Sequence, residues 1–105
     1  MGYCNANGHV SLKEKVPMSV IDTLINAEFL VEDASDGGLW LTMDEISYED
    51  ERIENALKAL KEYVEVGDVE FFGIDDCEHW RYEFDNGNLY YAEGEIVFKR
   101  KMEVV

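Results

Sequence analysis

The run Trp80-Arg81-Tyr82-Glu83-Phe84-Asp85-Asn86-Gly87-Asn88-Leu89-Tyr90-Tyr91 limits this chain more than any other part of it. Trp80, Tyr82 and Phe84 alternate with Arg81, Glu83 and Asp85, and a period of two belongs to a strand buried on one side. The Asn86-Gly87 pair is the strongest short-range signal for a two-residue type I′ turn, whose central residues both need a positive φ. Closing the hairpin there sets Phe84 across from Leu89 and Tyr82 across from Tyr91, so one face becomes an aromatic and aliphatic ladder. Farther on the phase breaks, because Leu89 and Tyr91 are odd-numbered while Ile96 and Phe98 are even. Either one extra residue enters as a bulge near Glu93-Gly94, the reading preferred here, or a second turn there starts another strand.

Upstream, the small or apolar residues Cys4, Ala6, Gly8, Val10 and Leu12 alternate with Asn5, Asn7, His9, Ser11 and Lys13, which predicts a strand. A hairpin turn at Asn7-Gly8 is the alternative, but it would leave only a stub before it. Pro17 suits the first turn of a helix, and Met18, Ile21, Leu24 and Ile25 recur at helical spacing until the pattern fades near Phe29. Glu32 to Gly38 reads as a polar loop. Leu39, Leu41 and Met43 then alternate with Trp40, Thr42 and Asp44, predicting a second strand.

Ser47-Tyr48-Glu49-Asp50 has the form of a capping box. It precedes an apolar stripe of Ile53, Ala56, Leu57, Leu60 and Val64 opposite a charged row of Glu54, Lys58 and Glu62, with Gly67 placed to end the helix. Val69 to Ile74 predicts a third strand. The expected order is β-α-β-α-β-β in one domain, residues 1–105: an α+β, ferredoxin-like, antiparallel-type sheet with two helices on one face.

Charge narrows the function classes. The chain of 105 residues carries 24 Asp and Glu against nine Lys and Arg, a formal net charge of -15. Direct nucleic-acid binding is disfavoured, since phosphates are bound by basic surfaces that release counterions. Twenty-one of the acids, and only Arg52, Lys58, Lys61 and Arg81 among the bases, fall between Glu28 and Glu95. With 47% hydrophobic and 12% aromatic residues the chain is nonetheless expected to fold. No apolar run is as long as a membrane span and no charged-then-apolar signal segment is evident. A cytoplasmic protein with reduced thiols is expected, within a host cell if the setting is viral.

Met1-Gly2-Tyr3 followed by Gly8 and Leu12, and later Gly67-Asp68-Val69-Glu70-Phe71-Phe72-Gly73 leading into an acidic turn and a final strand pair, are the residues that carry a likeness. In these the chain resembles small phage and prophage proteins that share this element order. The resemblance implies a viral or mobile-element setting and an interaction role of unassigned partner, and it brings no catalytic residue with it.

Cys4, His9, Cys77 and His79 invite a zinc site, but they lack the close Cys-x₂₋₄-Cys or His-x₃₋₅-His pairs of structural zinc. On one strand Cys4 and His9 also point to opposite faces. Cys77 beside His79 has the form of a nucleophile and base, yet Asp75, Asp76 and Glu78 around the thiol suppress the thiolate. The carboxylate clusters lack the spacing of a calcium loop, and neither a phosphate loop nor a nucleophile elbow is present. No enzyme activity, metal or cofactor is expected.

What remains is a non-enzymatic acidic interaction protein that binds a basic, nucleic-acid-binding partner, as a nucleic-acid mimic or an inhibitor of host defence such as an anti-CRISPR. The expected surface combines Asp44, Glu45, Glu49, Asp50 and Glu51 at the start of the second helix, Asp75, Asp76 and Glu78 in the acidic turn, and Glu83 and Asp85 on the hairpin's outer edge. Tyr90 or Trp40 would be the aromatic anchor. The alternatives are a homodimer built on a free hairpin edge and the basic tail Lys99-Arg100-Lys101, and a small metal-binding or hydrolytic protein.

Overall fold

The computed structural model of the protein describes residues 3–47, 50–74, 78–93 and 101–104. β1 runs from Tyr3 to Leu12 with Cys4, Ala6, Gly8 and Val10 buried, so the alternation holds and Asn7-Gly8 makes no turn. Gly8 is required there: a Cβ would approach the carbonyl oxygen of Asp68 on the adjoining strand to 2.4 Å.

α1, Met18–Asn26, follows Pro17, whose φ of -63° already suits a helix start. Its buried side is Val20 and Leu24, whereas Met18 and Ile25 lie in solvent at 69% and 52% exposure. The sequence offers two apolar stripes, and the anchors on either side decide between them. Val16 and Phe29 are both buried, which turns Val20, Leu24 and Ala27 inward.

The segment expected as a loop begins inside a strand: Glu32 and Asp33 end β2, Leu30–Asp33, which pairs antiparallel with β3, Leu39–Ser47. An edge strand with no fully buried residue has no alternation to read, and its Glu32 and Asp33 pass for loop residues. In β3 the expected Leu39, Leu41 and Met43 are buried. α2, Asp50–Leu60, buries Ile53, Ala56, Leu57 and Leu60 as its stripe implied. Of the capping box, Tyr48 and Glu49 lie outside the described residues.

One turn of 3₁₀ helix, Lys61–Tyr63, leads into β4, Val64–Gly73. Val64 and Gly67 therefore belong to a strand and not to the end of the helix. Val64 stands four residues after Leu60 and so continued the helical stripe by coincidence of spacing. Gly67 instead has φ 152° beside β1, where a Cβ would meet the His9 carbonyl oxygen at 2.4 Å.

β5, His79–Asp85, and β6, Asn88–Glu93, form the expected hairpin: Phe84 pairs with Leu89, Tyr82 with Tyr91, and Asn86 and Gly87 have φ of 48° and 88°. β7, Lys101–Glu103, then runs antiparallel to β6. The chain thus reverses between Glu93 and Lys101, which overturns a single bulged strand; Gly94 itself lies outside the described residues.

Among the described residues the result is an α+β fold with one antiparallel sheet in the order β2-β3-β1-β4-β5-β6-β7 and two helices. The element order β-α-β-β-α-β-β-β-β replaces the expected β-α-β-α-β-β, which is three strands short: β2 and β7 were hidden in polar sequence, and the expected order counted the Val69 to Ile74 strand and the two arms of the hairpin as two strands. Both helices join the same core cluster as one face of the sheet. Phe71 is fully buried at its centre, stacked on Trp80 at 5.5 Å and met edge-on by Phe29 and Tyr82 at 6.3 and 5.9 Å. Among the described residues no helix is long and apolar enough to cross a membrane.

Candidate interaction surface

The strand alternation that fills the core also fixes what the opposite face of the sheet presents. Register places Glu32, Trp40, His9, Asp68, Glu83, Tyr90 and Glu103 as successive cross-strand neighbours, one from each of the seven strands. The neighbouring rows bring Thr42, Asn7, Glu70 and Arg81, then Asn5, Phe72 and His79. Among the described residues no helix covers this face. Its open part extends from β2 to β5, since at β6 Ala92 is buried on this side. Tyr3, Leu30, Trp40, Val66 and Phe72, five of the protein's exposed large hydrophobic residues, belong to it.

Two similar constructions stand on this face. His9 packs against Trp40 with ring centroids 4.7 Å apart, while its Nε2 lies 3.1 Å from a carboxylate oxygen of Asp36. Asp36 is fixed in turn by the backbone N–H of Gly38, which donates to it at 2.9 Å. That hydrogen bond and the one with His9 hold the Asp36 carboxyl below the usual range. His79 stacks on Phe72 at 4.5 Å and 18°, with its Nε2 3.1 Å from Glu70. In each case an imidazole is pinned between a carboxylate and an aromatic ring. The rings keep much of their surface in solvent: Trp40 is 45% and Phe72 43% exposed.

Between them Arg81 reaches Glu83 at 3.0 Å and Asp68 at 3.9 Å. Asp68 nevertheless has its pKa raised, first by desolvation, against which Arg81 works and to which Glu70 and Glu83 add. Carboxylates crowd here beyond what one guanidinium neutralises.

The residues expected at the site fall into two groups. Asp44 and Glu45 are both exposed on a bulge of β3, where Asn5 of β1 faces two residues. Glu45 has a positive φ of 52° and donates its backbone N–H to Asn5 Oδ1 at 2.8 Å. Such a conformation is costly for a residue other than glycine. Glu51 is exposed in the first turn of α2, and Glu78, whose carbonyl accepts from Gly73 N–H at 2.8 Å, is exposed before β5. These four share one end of the sheet with the exposed Tyr3, Phe72 and Ile74. Asp50 begins α2 at that end, while Glu49, Asp75 and Asp76 lie outside the described residues.

Glu83 and Asp85 do not join them. β5 is an interior strand between β4 and β6, not an outer edge, and Asp85 is at its far end, about 20 Å along the strand from His79. The edge beside β6 is likewise occupied, by β7. Trp40 is an exposed residue, whereas Tyr90 is half-buried.

Cys4 faces the core and His9 the open side, as their odd separation required. Burial pushes the Cys4 thiol up to about 11, so it is not a thiolate at neutral pH. Cys77 lies outside the described residues, and His79, the base considered and set aside for it, is engaged with Glu70. Sequence reasoning missed Asp36, Glu70 and Phe72. The usable signal was parity: Glu70 and Phe72 alternate with the buried Val69 and Phe71, and so had to face away from the core. Compared with family models, with characterised proteins and with solved structures, the chain matches none.

Proposed function

We propose that this is a non-enzymatic acidic interaction protein that binds a basic, nucleic-acid-binding protein, presenting carboxylates where that partner expects phosphates. The observation that carries the reading is the bulge in β3. It sets the consecutive carboxylates of Asp44 and Glu45 in solvent at the cost of a left-handed Glu45, at the same end of the sheet as Glu78 and an exposed apolar group. Backbone strain kept at an exposed acidic position is a reason to look for a partner there. Glu45 and Glu78 are three strand spacings apart, about 14 Å, so one partner surface spans both. Carboxylates on one strand repeat every 6–7 Å or so, coarser than duplex phosphates, and a mimic must draw charge from several elements, as this end of the sheet does.

In this reading Glu49, Asp50, Asp75 and Asp76 are counted among the partner's contacts on the strength of the sequence alone, and Glu83 and Asp85 add to the general field without touching the partner. The setting is the cytoplasm of a host cell, with the protein encoded by a phage and directed against a nucleic-acid-binding component of host defence, as an anti-CRISPR would be. The six elements from β1 to β4 follow the β-α-β-β-α-β course of a ferredoxin-like core, with β5, β6 and β7 as an added antiparallel flank. A homodimer through the free edge of β2 is the weaker reading. β2 offers only four residues to pair, and each copy would add the carboxylates of Glu32 and Asp33 to the seam.

The test is to recover the host partner by pull-down and titrate the purified pair. Affinity should fall steeply with salt, nucleic acid should compete, and Asp44→Lys with Glu45→Lys should cost at least tenfold. Binding that ignores both salt and charge reversal would refute the mimic.

A further inference from the structure

We infer that the open face of the sheet is itself a docking surface, and that it takes an arginine-bearing segment of the basic partner, with Trp40 and Phe72 as its two stacking platforms. The inference rests on the basic-partner reading above and adds where the segment lies and which cation it carries.

The two rings are built alike. Each is backed by an imidazole, His9 or His79, that a carboxylate holds in place, and each is more than two-fifths exposed. A braced aromatic ring loses little freedom on binding, which is the property of an interface anchor. Each platform also has an acid at hand. Glu32 is the cross-strand neighbour of Trp40, and Glu70 is two residues from Phe72 on the same face. A planar guanidinium stacks on an aromatic face while its N–H groups pair with a carboxylate, and an ammonium cannot do both equally well.

Charge complementarity selects the occupant. Between the platforms lie Asp68 and Glu70, and Asp68 is held in a crowded, partly desolvated site that an added cation relieves. The same carboxylates repel single-stranded nucleic acid, which would otherwise suit exposed rings on a sheet. The rings are two strands and four residues apart, about 10 Å across and about 13 Å along, or about 16 Å on the diagonal. Two arginines on one side of the segment meet that span at an even separation of about four to six residues in an extended segment, or about eleven apart in a helix.

The probes are oligoarginine and oligolysine of about eleven residues, titrated calorimetrically into the intact protein at low salt. Oligoarginine should bind about tenfold more tightly, from two exposed stacking contacts. The preference should vanish in the double variant Trp40→Leu, Phe72→Leu, which keeps apolar bulk without an aromatic face, and whose fold is checked by circular dichroism. Asp44→Lys with Glu45→Lys should weaken both peptides alike and keep the preference. Equal affinities would overturn the inference and leave the basic-partner reading standing. Failure of both peptides to bind would overturn the two together. Tighter binding of oligouridine than of oligoarginine through the same rings would assign the face to nucleic acid and overturn it as well.

Discussion

Replacing Glu45 by glycine should make the protein more stable while making it a poorer binder. Glu45 holds φ 52° on the β3 bulge, and a left-handed conformation costs a residue with a Cβ about 1–2 kcal/mol. Glycine removes that cost but gives back about 0.5–1 kcal/mol in the greater freedom of the unfolded chain. The net is a gain of about 0.5–1 kcal/mol. The hydrogen bond from the backbone N–H of residue 45 to Asn5 Oδ1 is unaffected by the side chain and holds the bulge in both proteins. For a urea slope of about 2 kcal/mol per molar, the midpoint rises by about 0.4 M with the slope unchanged. Glu45→Ala is the control: it removes the same carboxylate and keeps the strain, so its midpoint should stay near the parent's. Both variants should lose partner affinity to the same degree. If Glu45→Gly were no more stable than Glu45→Ala, the residue would not be strained, and the argument that strain marks the site would fail.

Two further outcomes follow from the packing and the charge. Gly8→Ala should abolish or severely weaken folding by thermal melt, because the new methyl group meets backbone atoms of Asp68 and Val69 at 2.4 and 2.7 Å in the middle of the sheet, with no flexible side chain to yield. Asp68→Asn should raise stability at pH 7: a carboxyl whose folded pKa lies above its unfolded value stabilises the fold only when protonated, and loses that contribution as pH rises through the folded pKa. The advantage of the variant should therefore disappear in denaturant melts below about pH 4, and an advantage that persists in acid would assign it to packing instead.

The hairpin was legible because its signals agree locally: the Asn86-Gly87 turn, the alternation before it and the pairs it implies all lie within a dozen residues. β1 and the buried stripe of α2 were legible for the same reason. The misses have a common cause in the reach of tertiary contacts. Whether Val20 or Met18 faces inward depends on where Val16 and Phe29 anchor the ends of α1, and whether Gly67 caps a helix or lies in a strand depends on how closely β1 approaches. Edge strands leave the faintest trace, because exposure on both faces erases the alternation, as in Leu30–Asp33. At the candidate surface, Asp44 and Glu45 could be named from composition. Their elevation on a bulge could not, since it needs Asn5, forty positions away. Glu83 looked like an edge acid until the pairing of β5 with β4 as well as β6 made its strand an interior one.

The alternation along β1 also governs which kinds of inherited change this protein can absorb. Asn5, Asn7, His9 and Ser11 face outward while Cys4, Ala6, Gly8 and Val10 face the helices, so substitutions in the first set rewrite the exterior without disturbing the interior. Loss or gain of a single residue within the strand would exchange the two sets, sending asparagines inward and valine out, across both neighbours at once. A lineage under pressure to follow a changing partner can thus vary outward positions such as Asn7 and His9 letter by letter, but not the strand's length, its Gly8 or the Asn5 that holds the bulge.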